Sequence, residues 1–403
     1  MKTVAPETVG LSSSRLKRID HVMQQYVYRG QLAGMVTVLL RHGQPVQFGM
    51  YGQMDIDESK PMREDAIFRI FSMTKPITSL AVMMLLEEGA FHLQYPISMF
   101  IPQLADLKVL SNQLDPNSEK VPLERPITIH DLLTHTSGLG YGLDKFLPVD
   151  AFMLEAKMMR MDETLQEKIN RLPQFPLHHQ PGLRYTYSIG LDVLGRLVEV
   201  VSGMPLNKFF KKRIFEPLGM TDTDFFVPTE KKERLAALYS LKPDGKLVDI
   251  SKIDTSSLPH FISGAWINKD EKPKFLSGGA GLVSTTVDYL RFGMMMRNQG
   301  ELDGVRLVSR KTIELMTAPY LREDQYFLQG ASFGLGFTIL TDPARAGMLG
   351  SAGAYETGGA AHTNLWYDPQ EDLMGLLMVQ YVNFTPSMVG LDFKTLAAAS
   401  IED

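Results

Sequence analysis

An apolar segment in the first quarter of the chain constrains the fold most strongly. Residues 80–86 are apolar without a break, so a helix through this segment has no polar face. Such a helix has to be buried in the middle of a domain, and Gly89 is a natural stop for it. Pro76 fits its first turn, where a missing amide hydrogen costs little. The sequence therefore predicts a buried central helix that begins near Ser72.

The start of this helix carries a serine and a lysine in the pattern Ser-x-x-Lys. Ser72 and Lys75 would lie one turn apart on the same face, just after a strand-like segment. A serine hydroxyl becomes a good nucleophile only when a nearby group takes its proton, and a desolvated lysine amine can do so. The pattern alone is a weak signal, because a helix N-cap followed by a surface lysine has the same spacing.

Further blocks follow in order along the chain, at residues 127–139, 181–188, 357–361 and 365–369. Together with Ser72 and Lys75, this set resembles the serine β-lactamase-like superfamily. The resemblance is closest to class C β-lactamases, to penicillin-binding proteins of that fold and to the family VIII carboxylesterases. It extends from Val9 to the last predicted strand and so covers nearly the whole chain.

The resemblance implies a fold of the α/β (α+β) class, with a central antiparallel sheet flanked by helices. Strand-like patterns lie near both ends of the chain, at residues 35–40, 46–51, 334–340, 364–367 and 373–380. We predict a discontinuous α/β domain formed by residues 1–93 and 245–403. An inserted, mostly helical domain would span residues 94–244, with the site in the cleft between the two.

By the same resemblance, Ser72 is the catalytic nucleophile, and Lys75 and Tyr187 are the proton-transfer groups. Tyr187 falls on the tyrosine of the family's Tyr-x-Asn block. Which of the two groups is the general base stays open, so the pair is treated as one coupled unit. The backbone amides of Ser72 and Ala360 would form the oxyanion hole.

Two blocks depart from the β-lactamase pattern. Ile189 stands where those enzymes carry an asparagine, and Thr357-Gly358-Gly359 stands where they carry Lys-Thr-Gly or His-x-Gly. The missing cation removes a charge-assisted partner for the carboxylate of a β-lactam. Thr357, Gly358, Gly359 and Ile189 are predicted to bind substrate, and both departures favour the esterase branch.

The predicted function is hydrolysis of short-chain carboxylic esters through an acyl-enzyme on Ser72. One alternative is a β-lactamase or D-alanyl peptidase, and another is an acyltransferase of the same fold. A third is a non-catalytic scaffold or sensor, which the intact trio of Ser72, Lys75 and Tyr187 argues against. The expected partner is a small-molecule ester; no cofactor or metal is implied, and the oligomeric state stays open.

Composition argues against several other classes of protein. The net charge is −5 and the basic residues are scattered, so no nucleic-acid partner is expected. The chain has no cysteine, no apolar run long enough to span a membrane, and no apolar signal-peptide core in its first residues. A cytoplasmic location is therefore expected. The histidines show no spacing typical of a metal site.

Three other features have competing interpretations. Residues 330–334 read Gly-Ala-Ser-Phe-Gly, the nucleophile-elbow pattern, which requires a strand, a sharp turn and a helix. Because a strand-like pattern continues through residues 334–340, Ser332 is predicted not to be catalytic. His130 and His135 are predicted to be hydrogen-bonded structural residues. The methionine-rich segment 141–180 lies between two motif blocks and is expected to shape the substrate pocket.

Overall fold

An antiparallel sheet of eight strands forms the centre of the computed structural model, which describes residues 1–242, 244–253, 272–325, 327–382 and 387–403. The strands of these residues, in chain order, are β1 Gly34–Arg41, β2 Gln44–Asp55, β3 Lys60–Pro61, β4 Ile67–Arg69, β5 Lys108–Leu110, β6 Lys120–Pro122, β7 Tyr239–Leu241, β8 Leu247–Asp249, β9 Val283–Thr285, β10 Glu301–Leu302, β11 Val305–Arg306, β12 Ala331–Phe333, β13 Thr338–Leu340, β14 Tyr355–Gly358, β15 Asn364–Asp368 and β16 Leu373–Val379.

Helices flank the sheet and fill the middle of the chain. Those of the described residues are α1 Ser13–Tyr28, α2 Thr74–Glu87, α3 Ile129–Leu133, α4 Pro148–Glu155, α5 Leu165–Asn170, α6 Gly190–Ser202, α7 Leu206–Phe210, α8 Glu216–Leu218, α9 Thr286–Arg297, α10 Arg310–Met316, α11 Pro343–Ala346 and α12 Val389–Ala398. None of them combines the length and the apolar character that crossing a membrane would require.

The large sheet joins the two ends of the chain. Its strand order is β12-β13-β14-β15-β16-β1-β2-β3, and β1 pairs with β16 on one side and with β2 on the other. Every residue of β1 is buried. Both faces of this strand are therefore covered, which explains why its sequence is a nearly continuous apolar run. The predicted fold class is confirmed: a large antiparallel sheet flanked by helices.

Two hydrophobic cores cover the two faces of the sheet. The smaller core packs α1 and α12 against one face, with Ile19, Met23, Trp366 and Phe393 among its members. The larger core contains α2, in which every residue from Thr74 to Leu85 is buried. The predicted central helix is therefore confirmed, and it is the buried support on which the candidate site lies.

The strand predicted over residues 334–340 is confirmed only at residues 338–340, which form β13. Residues 334–337 instead turn the chain between β12 and β13, which pair as a hairpin. The amide of Gly334 donates to the carbonyl of Phe337 at 2.7 Å, and Gly336 has φ +94°. Glycine adopts this backbone conformation without steric cost, so the two glycines favour a tight turn over a continuous strand. The predicted division at residues 94–244 stays a prediction.

Candidate active site

Ser72 lies in a short 3-10 turn, Phe71–Met73, directly before α2. Phe71 has φ +42°, which is uncommon for a large side chain. A residue of the core fixes this turn: the hydroxyl of the buried Tyr289 donates a hydrogen bond to the carbonyl of Met73 at 2.7 Å. The Ser72 hydroxyl is thus presented, half-buried, at the start of the central helix.

Lys75 lies one helical turn after Ser72 and is only 3% exposed. Its amine donates to Ser72 Oγ at 3.2 Å and to the carbonyl of Gly279 at 2.7 Å. The amine also lies 4.5 Å from the centre of the Tyr187 ring. In the part of the chain that the structure describes, Lys75 forms no ion pair with a carboxylate. Of its two hydrogen bonds, the one to a side chain is therefore the bond to Ser72.

Tyr187 completes the group from a segment just before α6. Its phenol oxygen lies 2.6 Å from Ser72 Oγ, and either atom can be the donor. The structure thus brings together the three residues that the sequence assigned to catalysis. The proton of Ser72 has two neighbours that can receive it, the Tyr187 oxygen and the Lys75 nitrogen, so the arrangement is suited to nucleophilic catalysis.

A buried carboxylate supports the lysine, and the sequence analysis did not assign it a role. Asp192, on α6, accepts hydrogen bonds from Ser277 Oγ at 2.6 Å and from the amide of Gly279 at 3.2 Å. It therefore fixes the turn whose Gly279 carbonyl accepts from Lys75. Burial raises the pKa of Asp192, and its second oxygen, Oδ2, has no hydrogen-bond partner among the described residues.

A pocket of about 260 Å³ opens over Ser72. The residues that line it are mostly apolar and none is a charged group: Phe71, Ser72, Tyr141, Leu143, Tyr187, Ala280, Gly358 and Ala360. Burial and the negative charge of Asp192 raise the pKa of Tyr141 well above its usual value, so this second phenol keeps its proton. Phe71, Tyr141, Leu143 and Ala280 were not singled out from the sequence, because no motif marks them.

Gly359 brings the end of β14 close to the Ser72 turn. A Cβ atom on Gly359 would lie 2.3 Å from the carbonyl oxygen of Ile70, so a larger residue would force the two segments apart. Ala360 follows directly and lines the pocket together with Ser72 and Gly358. This placement fits the predicted oxyanion hole, whose role stays a prediction.

Of the four predicted substrate-binding residues, only Gly358 lines the pocket over Ser72. Ile189 is 0% exposed and packs in the large core at the start of α6, and Thr357 is 6% exposed within β14. Gly359 follows Gly358 and approaches Ile70. The side chains of Ile189 and Thr357 therefore do not form the pocket wall, and substrate binding by these residues stays a prediction.

The segment predicted to shape the pocket does so only at its beginning. Tyr141 and Leu143 line the pocket over Ser72. Met153, on α4, and Met158 and Met159, which follow α4, are buried and line a separate cavity of about 260 Å³. These methionines do not line the pocket over Ser72 and serve as core packing.

Ser332 lacks the surroundings of a nucleophile elbow. It lies in the middle of β12, opposite Ile339, and its hydroxyl accepts a hydrogen bond from the amide of Leu321 at 3.1 Å. No helix follows it directly. The larger cavity of the described residues, about 470 Å³, lies against Trp366 and α12 on the opposite face of the sheet, and Ser72 does not line it. The candidate site is therefore identified by the chemical groups around Ser72 and not by the volume of the cavity.

Comparison with known proteins gives consistent matches over most of the chain. A family model described as Beta-lactamase matches residues 19–400. The chain is 36% identical to protein Rv1367c of Mycobacterium tuberculosis over 363 residues, which is 87% of this chain and 86% of that protein. It is 32% identical to esterase EstB of Burkholderia gladioli over 381 residues, 91% of each chain.

A solved structure has the same fold along nearly its whole length. EstCE1, described as a hydrolase with promiscuous acyltransferase activity, superposes with a TM-score of 0.78 at 25% identity. The match covers 96% of this chain and 98% of that one. Sequence and fold comparisons therefore agree on the same group of proteins.

Proposed function

The chain belongs to the β-lactamase family, and from this premise we propose that it is a serine hydrolase, specifically a carboxylesterase of the family VIII kind. It would hydrolyse short-chain carboxylic esters through an acyl-enzyme on Ser72. The observation that carries the proposal is the contact of Ser72 Oγ with both Tyr187 Oη, at 2.6 Å, and Lys75 Nζ, at 3.2 Å. A nucleophile with two proton-accepting neighbours is what acyl transfer requires.

The first half of the reaction forms the acyl-enzyme. Ser72 Oγ attacks the carbonyl carbon of the ester, and its proton passes to the Tyr187–Lys75 pair. The amides of Ser72 and Ala360 donate to the oxyanion, and each such donor contributes about 100- to 1,000-fold in rate. The tetrahedral intermediate then breaks its bond to the alcohol oxygen, which leaves with the proton returned by the pair.

The second half releases the acid. A water molecule attacks the acyl carbonyl and gives its proton to the same pair. The bond to Ser72 Oγ breaks, and the serine recovers its proton as the carboxylic acid leaves. In each half the coupled pair acts first as base and then as acid, and it ends each half in the protonation state in which it began.

The size and the lining of the pocket favour small, uncharged acyl groups in the substrate. Its volume of about 260 Å³ lies just below the usual range of about 300–1,000 Å³ for ligand pockets, which favours a small substrate. No charged side chain lines it among the described residues, so a β-lactam carboxylate would lack a charge-assisted partner. These features favour an ester over a β-lactam. EstB, which carries the name esterase, is a relative over 91% of this chain.

A second candidate function is acyl transfer to an alcohol. The similar structure of EstCE1 is described as a hydrolase with promiscuous acyltransferase activity. An acyl-enzyme on Ser72 can be discharged by an alcohol as well as by water, with the same groups handling the proton. The two activities share their first half, so competition between acceptors distinguishes them.

The experiment is a pre-steady-state measurement with p-nitrophenyl butyrate on the native chain, Ser72→Ala and Ser332→Ala. We expect a burst followed by steady turnover in the native protein, and a fall of at least about 1,000-fold in Ser72→Ala. Ser332→Ala is the matched control and should keep the native rate.

Parallel assays separate the alternatives. A chromogenic cephalosporin should be turned over far more slowly than the ester, and an added alcohol should reveal any transfer activity as a new ester product. Full activity in Ser72→Ala would overturn the proposal, and loss of activity in Ser332→Ala alone would move the nucleophile to β12. Dominant cephalosporin turnover would replace the esterase by a β-lactamase.

A further inference from the structure

His135 is a fully buried residue to which the reaction above gives no role. It contacts the chain on both sides of Tyr187. Its carbonyl accepts from the amide of Thr186 at 2.8 Å, and its Nδ1 accepts from the amide of Ser188 at 3.2 Å. Its ring also lies 4.8 Å from the Tyr187 ring, centre to centre, at an angle of 41°. One residue thus holds the main chain before the phenol, the main chain after it, and the ring itself.

The backbone of His135 is in an uncommon conformation. Its φ is +57°, in the left-handed region that few residues other than glycine adopt. The residue follows α3 at the point where the chain reverses towards the site. This conformation allows the carbonyl and the imidazole of the same residue to reach the 186–188 segment together. A residue that served only to fill the core would not need both contacts.

The imidazole is a neutral acceptor. Burial and the nearby charge of Lys75 lower the pKa of His135 well below its usual value. Because Nδ1 accepts from the Ser188 amide, the single ring proton is on Nε2, which has no hydrogen-bond partner among the described residues. A protonated ring could not accept from Ser188 and would repel the ammonium of Lys75. The neutral form is therefore the one that fits these contacts.

We propose that His135 is a positioning residue that holds the Tyr187 phenol within hydrogen-bonding distance of Ser72 before substrate binds. The proposal rests on the proposed function, since the position of the phenol matters only if Tyr187 transfers a proton. A misplacement of about 1 Å in such a group can lower the rate about 100-fold. His135 itself does not touch the reacting atoms.

Aromatic packing is the competing explanation of the same contacts. The His135 ring also packs against Phe333 at 5.3 Å and Tyr185 at 5.8 Å, so the residue is part of an aromatic cluster. If packing were its only role, another ring at this position would serve equally well. If the role is to position Tyr187, the Nδ1 acceptor is required.

The test uses substitutions that separate the acceptor from the ring. His135→Asn keeps an acceptor near the place of Nδ1 and tolerates the left-handed backbone, whereas His135→Gln puts its amide near the place of Nε2. His135→Phe keeps a ring without an acceptor. Phe333→Leu is the control, because it trims the ring cluster at Tyr185 and His135 and leaves the Nδ1 acceptor of His135 and the Tyr187 ring in place. For each variant, kcat and KM with p-nitrophenyl butyrate and the thermal midpoint are measured.

We expect His135→Phe and His135→Gln to lower kcat by about 10- to 100-fold with KM nearly unchanged. His135→Asn should recover most of this loss, and Phe333→Leu should lower the thermal midpoint while keeping kcat per folded molecule. Native kcat in His135→Phe, or equal kcat in the Asn and Gln variants, would overturn the proposal. If His135→Phe does not fold, the difference in kcat between His135→Asn and His135→Gln tests the proposal.

Double variants with Tyr187→Phe show whether His135 acts through the phenol. In the Tyr187→Phe background, replacing His135 by Gln should cause little further loss of kcat, because the group that it positions is gone. Fully additive losses would contradict the positioning role. Failure of the proposed function gives a different result, which is native activity in Ser72→Ala whatever residue occupies position 135.

Discussion

Among the residues that the structure describes, Lys75 and Lys168 are buried lysines whose amines have opposite kinds of partners. Lys168 is 0% exposed, and its amine donates to the carbonyls of Met158 and Arg160 and to the carboxylate of Glu163. Lys75 is 3% exposed and donates to the hydroxyl of Ser72 and the carbonyl of Gly279. Only the first amine forms an ion pair with a carboxylate among the described residues.

The difference separates a structural lysine from a candidate catalytic one. A buried ammonium needs a carboxylate or several strong acceptors to offset the loss of water. Lys168 has them and is held on α5 as part of an ion-pair cluster with Glu163 and Arg171. Lys75 lacks a carboxylate partner and shares its protons with a serine. The folded state is therefore stabilised less at Lys75 than it would be if the amine had a carboxylate partner. This is expected of a group that has to exchange protons.

Two buried carboxylates repeat the contrast. Asp150 accepts from the amides of residues 141–144 at 3.0–3.1 Å and contacts His178. Burial alone would raise its pKa, but the hydrogen bonds from His178 and these amides lower the pKa of Asp150 to about 2. In Asp192, by contrast, burial prevails and the pKa is raised. The well-bonded acid holds the loop that carries Leu143, and the poorly bonded acid lies behind Lys75.

The largest expected effect is on activity, in Lys75→Met. Loss of the amine should lower kcat/KM by about 100- to 10,000-fold, the usual range for a general base. The free energy of unfolding should stay the same or increase, because the variant removes a buried amine that forms no ion pair with a carboxylate among the described residues. Ester turnover and urea unfolding measure the two effects. A stability loss as large as the one expected for Lys168 would contradict the comparison.

The reciprocal variant is Lys168→Met. It should lower the free energy of unfolding by about 3 kcal/mol, at the lower end for a broken buried ion pair. The lower end applies because Glu163 keeps Arg171 as a partner at 2.8 Å. Activity per folded molecule, obtained by titrating the nucleophile with a fluorophosphonate, should remain native. If turnover per labelled serine fell instead, Lys168 would have to be linked to the site.

A smaller effect is expected for Asp150→Asn. Because the folded pKa of about 2 lies below the usual value of 3.8, the stabilisation by Asp150 is complete above that value and is lost as the pH falls towards 2. At pH 7 the variant should be less stable by about 2 kcal/mol, and the difference should shrink as the pH falls from 4 to 2. Thermal unfolding at several pH values measures it. A difference that does not change with pH would contradict this account.

The smallest expected effect is the pH dependence of stability in Asp192→Asn. A raised folded pKa means that the contribution of Asp192 to stability is fully present below its usual value and is lost as the pH rises through the folded pKa. The variant should therefore gain stability relative to the native chain between pH 4 and pH 8, by no more than about 1 kcal/mol. Calorimetry at the two pH values tests the sign, and a relative loss of stability would contradict it.

Much of the local structure could be predicted from particular residues. The apolar run 80–86 led to the buried helix α2, and the strand-like segments at 364–367 and 373–380 became β15 and β16. The alternating pattern at residues 334–340 was right for 338–340 and failed at 334–337, where two glycines lie in the turn between β12 and β13. Alternation reports which residues can share a face, and it does not reveal a turn when the glycines also fit the alternating pattern.

The candidate site could be predicted only in part. The motif positions pointed to Ser72, Lys75, Tyr187 and Ala360, and Ser72 lies within hydrogen-bonding distance of both Lys75 and Tyr187. The same motif reasoning also put Ile189 and Thr357 on the substrate, although both are buried outside the pocket. A motif preserves the place of a residue in the chain, whereas the direction of its side chain depends on the packing around it.

By itself, the sequence determined the pairing of Ser72 with Lys75, since the period of a helix puts positions i and i+3 on one face wherever the helix lies. Tertiary structure decided everything that depends on distant segments. Tyr187, 115 positions from Ser72, reaches its hydroxyl, and Gly279, 204 positions from Lys75, accepts from its amine. The Ser-x-x-Lys spacing singles out Lys75, but no local pattern shows that Lys168 has a carboxylate partner and Lys75 has none, because burial and pairing are properties of the folded surroundings.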